Sequence, residues 1–308
     1  MARPLDSVMR GSLIVKPSLP SSPSAAEAGT VNAPTRRAEA RRARDRRMRQ
    51  ACHPARPFTV AVTLRGRTHI APVRPIVHDE RMLRFMFVGD SMTIGSAGEH
   101  TWRYRLWRHL RDSCGRPFTF VGPRETLHDP STDEPTSYAY ADPDFPRAHL
   151  AGWGEGWHHM TPVIGETVRS CRADVLLVSL GLIDLGFYTN AEQTADNVRA
   201  FVRDARSANP RVRMAVMPVL HNIRADADET FAGQVHRFNE LLAKTVADLD
   251  EPGSSLLLVP PPPSYDFHVD TYDGTHPNAS GEHRIAGAFA EAMDEGWGLG
   301  GPYSAASS

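Results

Sequence analysis

The amino-acid sequence predicts an α/β fold in three layers, with a five-stranded parallel sheet between two layers of helices. Two observations support this prediction. Short apolar runs alternate five times with segments of helical periodicity from about residue 82 onward, and the first run ends abruptly in Gly89-Asp90-Ser91. Right-handed crossovers bring the carboxyl ends of all strands to one edge, where open α/β sheets bind ligands. We therefore expect functional residues at the strand ends.

The first half of the predicted domain begins with a buried strand over Leu83–Val88, because a run of about six mostly apolar residues closed by glycine is typical of a parallel sheet. Apolar side chains at three- and four-residue spacing after Thr101 predict a helix with an aromatic inner face. A second strand is expected over 118–122. The polar segment 123–147 that follows is predicted to be a long loop that covers or lines a site.

The second half repeats the alternation of helix and strand up to the last helical pattern. Its predicted helices cover 160–171, 191–208, 229–249 and 279–293, and its predicted strands cover 174–181, 213–217 and 256–259. Glycines are dense in 149–157, where backbone N–H groups are able to approach a ligand closely. These elements define a domain over 80–296.

The termini of the 308-residue chain differ from this domain in composition. Residues 1–55 are rich in Ser, Pro, Ala and then Arg, and are expected to form a disordered extension. Residues 56–79 predict a β-hairpin, since Phe58–Leu64 alternates and Arg65-Gly66-Arg67 supplies a turn. Residues 297–308 are expected to be a flexible tail.

Overall composition argues against several functional classes. The net charge of −1 gives no general attraction to nucleic acid or to a membrane surface, and no run approaches the eighteen or so apolar residues of a membrane span. Three scattered cysteines are too few for a disulfide framework or a zinc site. A cytoplasmic location is expected, because the apolar patch 11–15 is too short for the core of a signal peptide. The oligomeric state stays open.

Two separate stretches supply residues for nucleophilic catalysis. Ser91 follows the first strand, and Asp273 and His276 lie three positions apart just before the last predicted helix. A serine nucleophile requires a base, and the base requires an orienting acid, so these are the parts of a Ser-His-Asp relay. The alternative for Ser91 is an ordinary helix cap at a strand end.

These motifs resemble the SGNH (GDSL-type) hydrolase family over about residues 82–294. Gly-Asp-Ser-Met at 89–92 is similar to the first block of the family, and Asp-Gly-Thr-His-Pro at 273–277 to its D-x-x-H block. Phe-Val-Gly at 120–122, followed by His149 and Gly-Trp-Gly at 152–154, is similar to the branch with carbohydrate and acetyl-xylan esterases. The resemblance implies a flavodoxin-like three-layer α/β/α fold with a five-stranded parallel sheet and no metal or other cofactor.

The same resemblance implies roles for individual residues. Ser91 would be the nucleophile, His276 the general base and Asp273 the acid that orients the imidazole. The oxyanion would be held by the backbone N–H of Ser91 and by that of a loop glycine. The spacing from His149 indicates Gly154, with Gly152 as the competing choice.

The chain departs from the family pattern at one donor of the oxyanion hole. Where the family has Gly-x-Asn-Asp, this sequence has Gly181-Leu182-Ile183-Asp184, so an alkyl group replaces the carboxamide. The loss of one such donor typically lowers turnover by about 10²–10³-fold. Either another group such as Asn190 or Asn222 supplies the donor, or two backbone donors suffice, or hydrolysis is impaired.

Three functions are compatible with these residues. The first is a serine esterase that hydrolyses acetyl-type O-acyl esters of a carbohydrate or small metabolite through an acyl-enzyme. The second passes the same acyl group to an alcohol, as an acyltransferase, which the drier wall at Ile183 would favour. The third is a catalytically impaired protein that binds a glycan or partner through Trp153 and Trp157. The sequence contains no cofactor-binding motif that competes with these.

Overall fold

The computed structural model describes residues 82–305 of the chain. The predicted N-terminal extension over 1–55 and the predicted β-hairpin over 56–79 lie outside this part. The described residues contain eight strands: β1 (Leu83–Gly89), β2 (Phe118–Phe120), β3 (Leu127–Asp129), β4 (Glu134–Ser137), β5 (Leu150–Ala151), β6 (Val175–Ser179), β7 (Arg213–Met217) and β8 (Leu256–Leu258).

The helices follow the strands in the alternation that the sequence predicts. They are α1 (Ser91–Ile94), α2 (Thr101–Ser113), α3 (Trp157–Cys171), α4 (Ala191–Ala208), α5 (Ile223–Ala227), α6 (Glu229–Leu249), α7 (Phe267–Asp270) and α8 (Ala279–Trp297). A π-helical turn, Asp184–Tyr188, follows β6.

The central sheet has the strand order β2-β1-β6-β7-β8, and every pair in it is parallel. The five predicted strands therefore form the doubly wound α/β sheet that the sequence indicates, with β1 in the interior. The central sheet also contains one strand that the sequence pattern does not indicate: the two-residue β5 pairs with the end of β1, where Gly89 lies opposite Ala151. This pairing brings the glycine-rich loop after β5 beside Ser91.

Two hydrophobic cores flank the sheet, which explains why β1 is apolar on both faces. Met86 and Val88 belong to the core beneath α3, α4 and α6, and Phe85 and Phe87 to the core beneath α2 and α8. In the second core, Trp102 of α2 and Phe289 of α8 stack with ring centroids 4.7 Å apart. The contact holds the last helix, α8, against α2 on the same face of the sheet.

The long polar segment 123–147 is not a plain loop. It contains an antiparallel hairpin of β3 and β4, and His128 of β3 pairs with Ser96 in the connection between α1 and α2. The short strands Leu-His-Asp and Glu-Pro-Thr-Ser lack apolar alternation, so nothing in the sequence pattern indicates them. The hairpin extends one wall of the sheet edge that carries Ser91.

Helix α8 runs four residues beyond the predicted end, to Trp297, and Gly298 ends it in a left-handed conformation with φ of +61°. Leu299 is buried in the second core, so the described start of the predicted tail packs on the domain. None of the helices within 82–305 has the length and apolar character needed to cross a membrane.

Candidate active site

Ser91 is the first residue of α1, and only Asp90 separates it from the end of β1. The side chain of Asp90 caps this helix by accepting a hydrogen bond of 3.0 Å from the N–H of Met92. A Cβ at Gly89 would overlap the side chain of Thr93, so the turn from strand to helix requires glycine there. Ser91 is thus held in a tight turn at the sheet edge and is largely buried.

Asp273 and His276 lie on a tight turn between α7 and α8. Oδ1 of Asp273 accepts hydrogen bonds from the backbone N–H groups of Thr275 and His276, at 3.0 and 2.7 Å. Gly274 has φ of +87°, and its N–H donates to the hydroxyl of Thr271 at 2.8 Å. Local hydrogen bonds therefore fix the spacing of the carboxylate and the imidazole.

The three predicted relay side chains meet in one hydrogen-bonded line. Nε2 of His276 lies 2.9 Å from Oγ of Ser91, and Nδ1 of His276 lies 2.6 Å from Oδ2 of Asp273. The serine and the histidine are 185 positions apart in the chain. A carboxylate only accepts hydrogen bonds, so Nδ1 carries the proton and Nε2 accepts from the serine hydroxyl. This arrangement is able to remove the proton from Ser91.

The electrostatics of this line favour an ionised acid. Burial alone would raise the pKa of Asp273, but the hydrogen bonds from the backbone and ring of His276 outweigh it and hold this pKa below its usual value. The side chain of Asp273 is 43% exposed and that of His276 16%. The Asp273 end of the relay is therefore exposed at the sheet edge, whereas His276 and Ser91 lie deeper.

The two candidate glycines of the oxyanion hole differ in what their N–H groups do. The N–H of Gly152 donates to the carbonyl of Gly89 at 3.1 Å, and a Cβ at Gly152 would overlap the Arg124–Glu155 ion pair. Gly154 has φ of +70° with open space around its Cα, and its N–H makes no hydrogen bond to any residue within 82–305. Gly154 is thus the one available to a ligand.

Buried His149 holds the start of the glycine-rich loop through a hydrogen bond to its backbone. Its Nδ1 accepts from the N–H of Ala151 at 3.0 Å, and its Nε2 lies 3.0 Å from the carbonyl of Thr126. Burial and the nearby charge of Arg103 hold the pKa of His149 well below its ordinary value, so the ring is neutral and donates through Nε2. His149 therefore links the two segments beside the glycine-rich loop.

Asp184 fixes the far end of the same loop. Its carboxylate accepts hydrogen bonds from the backbone N–H groups of Trp157, at 2.8 Å, and His158, at 3.0 Å. It therefore caps α3, a helix that begins 27 positions earlier in the chain. Ile183, half-buried, immediately precedes the π-helical turn, so the side chain at the position where the family has a carboxamide is apolar here.

The two asparagines considered as substitute donors are both helix caps. The carboxamide oxygen of Asn222 accepts from Arg224 and Ala225 at the start of α5, and its Nδ2 donates to the carbonyl of Leu220 at 3.3 Å. The oxygen of Asn190 caps α4 through Gln193. The amide of Asn222 is thus committed on both sides, and both side chains are oriented by their helices.

A stack of aromatic rings, which the sequence did not indicate, surrounds His276. Trp153 stacks on His276 with centroids 4.7 Å apart and on His128 with centroids 3.9 Å apart. Within the described residues the two imidazoles make no ring contact with each other, so they lie on opposite faces of the indole. Trp157, the other sugar-binding candidate, is fully buried against Phe201 and has no open face.

A buried arginine also supports the nucleophile helix. Nε of Arg103 donates to the carbonyl of Thr93 at 2.8 Å, and its Nη2 donates to that of Ile94 at 3.0 Å. The guanidinium lies over the rings of Tyr140 and Phe145 and is fully buried. It joins the carboxyl end of α1 to the 140–147 segment. A single arginine in an amphipathic helix carries no sequence signal for this role.

No group of three or more His, Cys, Asp or Glu side chains between residues 82 and 305 is arranged to hold a metal ion. His158 and His159 follow the glycine-rich loop. Their backbone N–H groups form part of the start of α3, and their rings pack on the exposed Tyr188. The reactive side chains that this sheet edge brings together are those of Ser91, His276 and Asp273.

The chain is similar to a known protein family and to several solved structures. A family model described as the GDSL-like lipase/acylhydrolase family matches residues 87–284. A carbohydrate esterase of family 3 from Talaromyces cellulolyticus superposes with a TM-score of 0.57 at 21% identity, covering 70% of this chain and 97% of that one. A family 3 carbohydrate esterase from Clostridium thermocellum gives 0.54 at 20% identity, with 70% and 96% covered.

A relative known from sequence is a multidomain esterase of Ruminococcus flavefaciens. It is 22% identical over 222 residues, which cover 69% of this chain and 28% of that protein. The match thus spans well under a third of the relative. The structural neighbours share the fold of the described domain, and the family match includes Ser91, Asp273 and His276. The chain belongs to the GDSL-like lipase/acylhydrolase family and is an enzyme that hydrolyses esters.

Proposed function

We propose that this chain is a serine esterase that hydrolyses acetyl-type O-acyl esters of a carbohydrate or small metabolite through an acyl-enzyme on Ser91. The observation that carries the proposal is the line from Ser91 Oγ to His276 Nε2, at 2.9 Å, and from His276 Nδ1 to Asp273 Oδ2, at 2.6 Å. No cofactor takes part in the proposed reaction.

The proposed reaction has two proton-balanced steps. Oγ of Ser91 attacks the ester carbonyl and gives its proton to Nε2 of His276, and Asp273 stabilises the imidazolium that forms. When the tetrahedral intermediate collapses, the C–O bond to the alcohol breaks and the imidazolium protonates the leaving oxygen. Water then attacks the carbonyl of the acyl-enzyme and gives its proton to Nε2 of His276. When this second intermediate collapses, the bond to Oγ of Ser91 breaks and the imidazolium returns the proton to Oγ, which releases the carboxylic acid and free Ser91.

The backbone N–H groups of Ser91 and Gly154 are the proposed oxyanion donors. Gly154 is preferred to Gly152 because the latter's N–H is already bonded to the carbonyl of Gly89. Ile183 offers no third donor. Two backbone donors suit an ester that needs modest activation, such as an acetyl ester of a sugar hydroxyl.

The exposed position of the relay supports a bulky alcohol part. Asp273, at the outer end of the relay, is 43% exposed on a turn at the edge of the sheet, so the proposed site opens to solvent on this side. The fold is that of the carbohydrate esterases described above. Both points favour an alcohol part larger than a simple alkanol.

The first test is covalent labelling with a fluorophosphonate, followed by mass determination of the modified residue. Labelling at Ser91 is expected in the wild type and none in Ser91→Ala, whereas Ser207→Ala on the exposed end of α4 should label normally. Asp273→Asn should lower turnover by as much as about 10⁴-fold, because the imidazole loses its orientation. Normal turnover in Ser91→Ala would rule out the nucleophile.

The second test separates hydrolysis from acyl transfer. A burst of p-nitrophenol from p-nitrophenyl acetate, equal to the enzyme concentration, would report the acyl-enzyme. Acetate release from an O-acetylated methyl glycoside that does not depend on added alcohol supports the esterase. Turnover that requires an alcohol acceptor would assign the chain to the acyltransferases instead, as the apolar wall at Ile183 allows.

A further inference from the structure

Tyr272 presents an exposed aromatic ring directly beside the relay. It precedes Asp273, and its ring lies 5.8 Å from that of His276, with the two planes 17° apart. Its N–H donates to the carbonyl of His276 at 3.0 Å. The residue is 53% exposed, although it sits on a turn that is otherwise closed by hydrogen bonds. A large apolar surface is thus held open at the catalytic edge.

The backbone of Tyr272 is fixed by the turn, and its side chain lies beside two polar residues. Ser96 and Glu99, in the connection between α1 and α2, lie close enough to the Tyr272 hydroxyl to affect its pKa, which burial raises. Oε2 of Glu99 accepts a hydrogen bond of 2.7 Å from the backbone N–H of Ser96. A ring whose backbone is already ordered loses little conformational freedom when a ligand stacks on it.

The chemistry of the reaction places the alcohol part of the ester on this side. The leaving oxygen takes its proton from Nε2 of His276, so the group attached to that oxygen lies next to the imidazole. Trp153 also adjoins His276, but both faces of its indole are covered by imidazoles. Tyr272 therefore provides the open aromatic face beside the leaving group.

We propose that Tyr272 is the specificity-determining residue for the alcohol part of the ester, on whose exposed face a sugar ring stacks through its C–H groups. This assignment rests on the proposed esterase function. It predicts that Tyr272 contributes to the binding of a glycoside ester and contributes nothing to that of an ester whose alcohol carries no ring.

The test compares two substrates with the same acyl group, an O-acetylated methyl glycoside and methyl acetate. In Tyr272→Ala, KM for the glycoside should rise roughly tenfold, as expected for losing about 50 Å² of apolar contact, with little change in kcat. Hydrolysis of methyl acetate should be unchanged. Tyr272→Phe, which keeps the ring, should behave like the wild type toward both substrates.

A matched control is Phe187→Ala, because Phe187 is an exposed aromatic residue on the π-helical turn, 72% exposed. Its KM for the glycoside should be that of the wild type. The assignment is overturned if Tyr272→Ala impairs both substrates equally, if it changes neither, or if Phe187→Ala gives the KM effect instead. A wild-type protein that hydrolyses neither ester would overturn the proposed function itself, and this assignment with it.

Discussion

Asp184 accepts a hydrogen bond of 2.8 Å from the backbone N–H of Trp157, although the two residues belong to different elements. The contact joins the turn after β6 to the first residue of α3, and a Cβ at Gly156 would overlap the carboxylate. The loop 152–156 is therefore fixed at both ends, by Asp184 and by the bond between Gly152 and Gly89. Gly154 lies between these two fixed points, and its N–H is the one glycine N–H of the loop without a hydrogen bond to the described residues.

Removal of this anchor should affect both stability and turnover. Asp184→Ala leaves two N–H groups at the start of α3 without their acceptor, which should cost about 1–3 kcal/mol of the free energy of unfolding. Turnover should fall at least tenfold, as the loop that carries Gly154 loses its fixed position. Asp184→Asn keeps an acceptor, so its stability and turnover should lie between those of the wild type and of Asp184→Ala. Urea unfolding and steady-state kinetics measure these effects, and full turnover in Asp184→Ala would contradict the role.

Restoring a carboxamide at position 183 should raise activity. Ile183→Asn adds a donor to the apolar wall, and one such donor typically contributes about 10²–10³-fold to turnover, so a rise of at least tenfold is expected on simple acetyl esters. Ile183→Leu is the matched control and should leave turnover unchanged. A neutral or harmful effect of the asparagine would show that this oxyanion hole is complete without it.

The buried acid beside the nucleophile should make stability depend on pH. Burial raises the pKa of Asp90 to about 7, with a further contribution from the charge of Asp184 and opposition from the N–H of Met92. In the unfolded chain the carboxyl ionises near pH 4. The folded state thus binds more protons between these values, and the free energy of unfolding falls as pH rises from about 4 to 7.

Asp90→Asn removes this dependence, because an amide keeps the helix cap but does not ionise. Its stability relative to the wild type should increase from pH 4 to 7, by up to about 4 kcal/mol. Chemical unfolding at pH 4 and pH 8 provides the comparison. A difference between the two proteins that stays constant across this range would exclude the ionisation of Asp90 as the cause.

Substitution by leucine should mainly affect kcat at Trp153 and mainly affect stability at Trp157. Trp153→Leu removes the aromatic face from the imidazolium that forms on His276, which should lower kcat about fivefold with little loss of stability. Trp157→Leu opens space in the core against Phe201 and should cost about 3 kcal/mol while kcat of the folded protein changes little. Identical behaviour of the two variants would contradict the separate roles.

The sequence indicated the sheet, and it also indicated the edge at which Ser91, Asp273 and His276 would lie. Apolar runs and helical spacing are local signals, and the handedness of crossovers converts them into a shared edge. The sequence did not predict side-chain contacts between residues that are far apart in the chain. The bond from Asp184 to Trp157 joins residues 27 positions apart, and neither residue type identifies the other.

The stack of Trp153 with His128 and His276 is a second example of contacts that the sequence did not predict. Trp153 and Trp157 have the same side chain and similar flanking glycines, yet one lies against His276 and the other is buried in the core. The direction of each indole follows from where α3 begins, which the sequence predicted three residues late. The β3–β4 hairpin that brings His128 to the stack is polar, so no periodicity marks it.

The relay turn leads into the last helix, and the stack of Phe289 on Trp102 fastens that helix to the rest of the domain. The proposed acid and base therefore reach Ser91 only when the carboxyl-terminal segment has docked. In a partly denatured chain without this docking, the proposed mechanism leaves Ser91 without its base. Under that mechanism, ester hydrolysis reports whether the last helix is packed on α2.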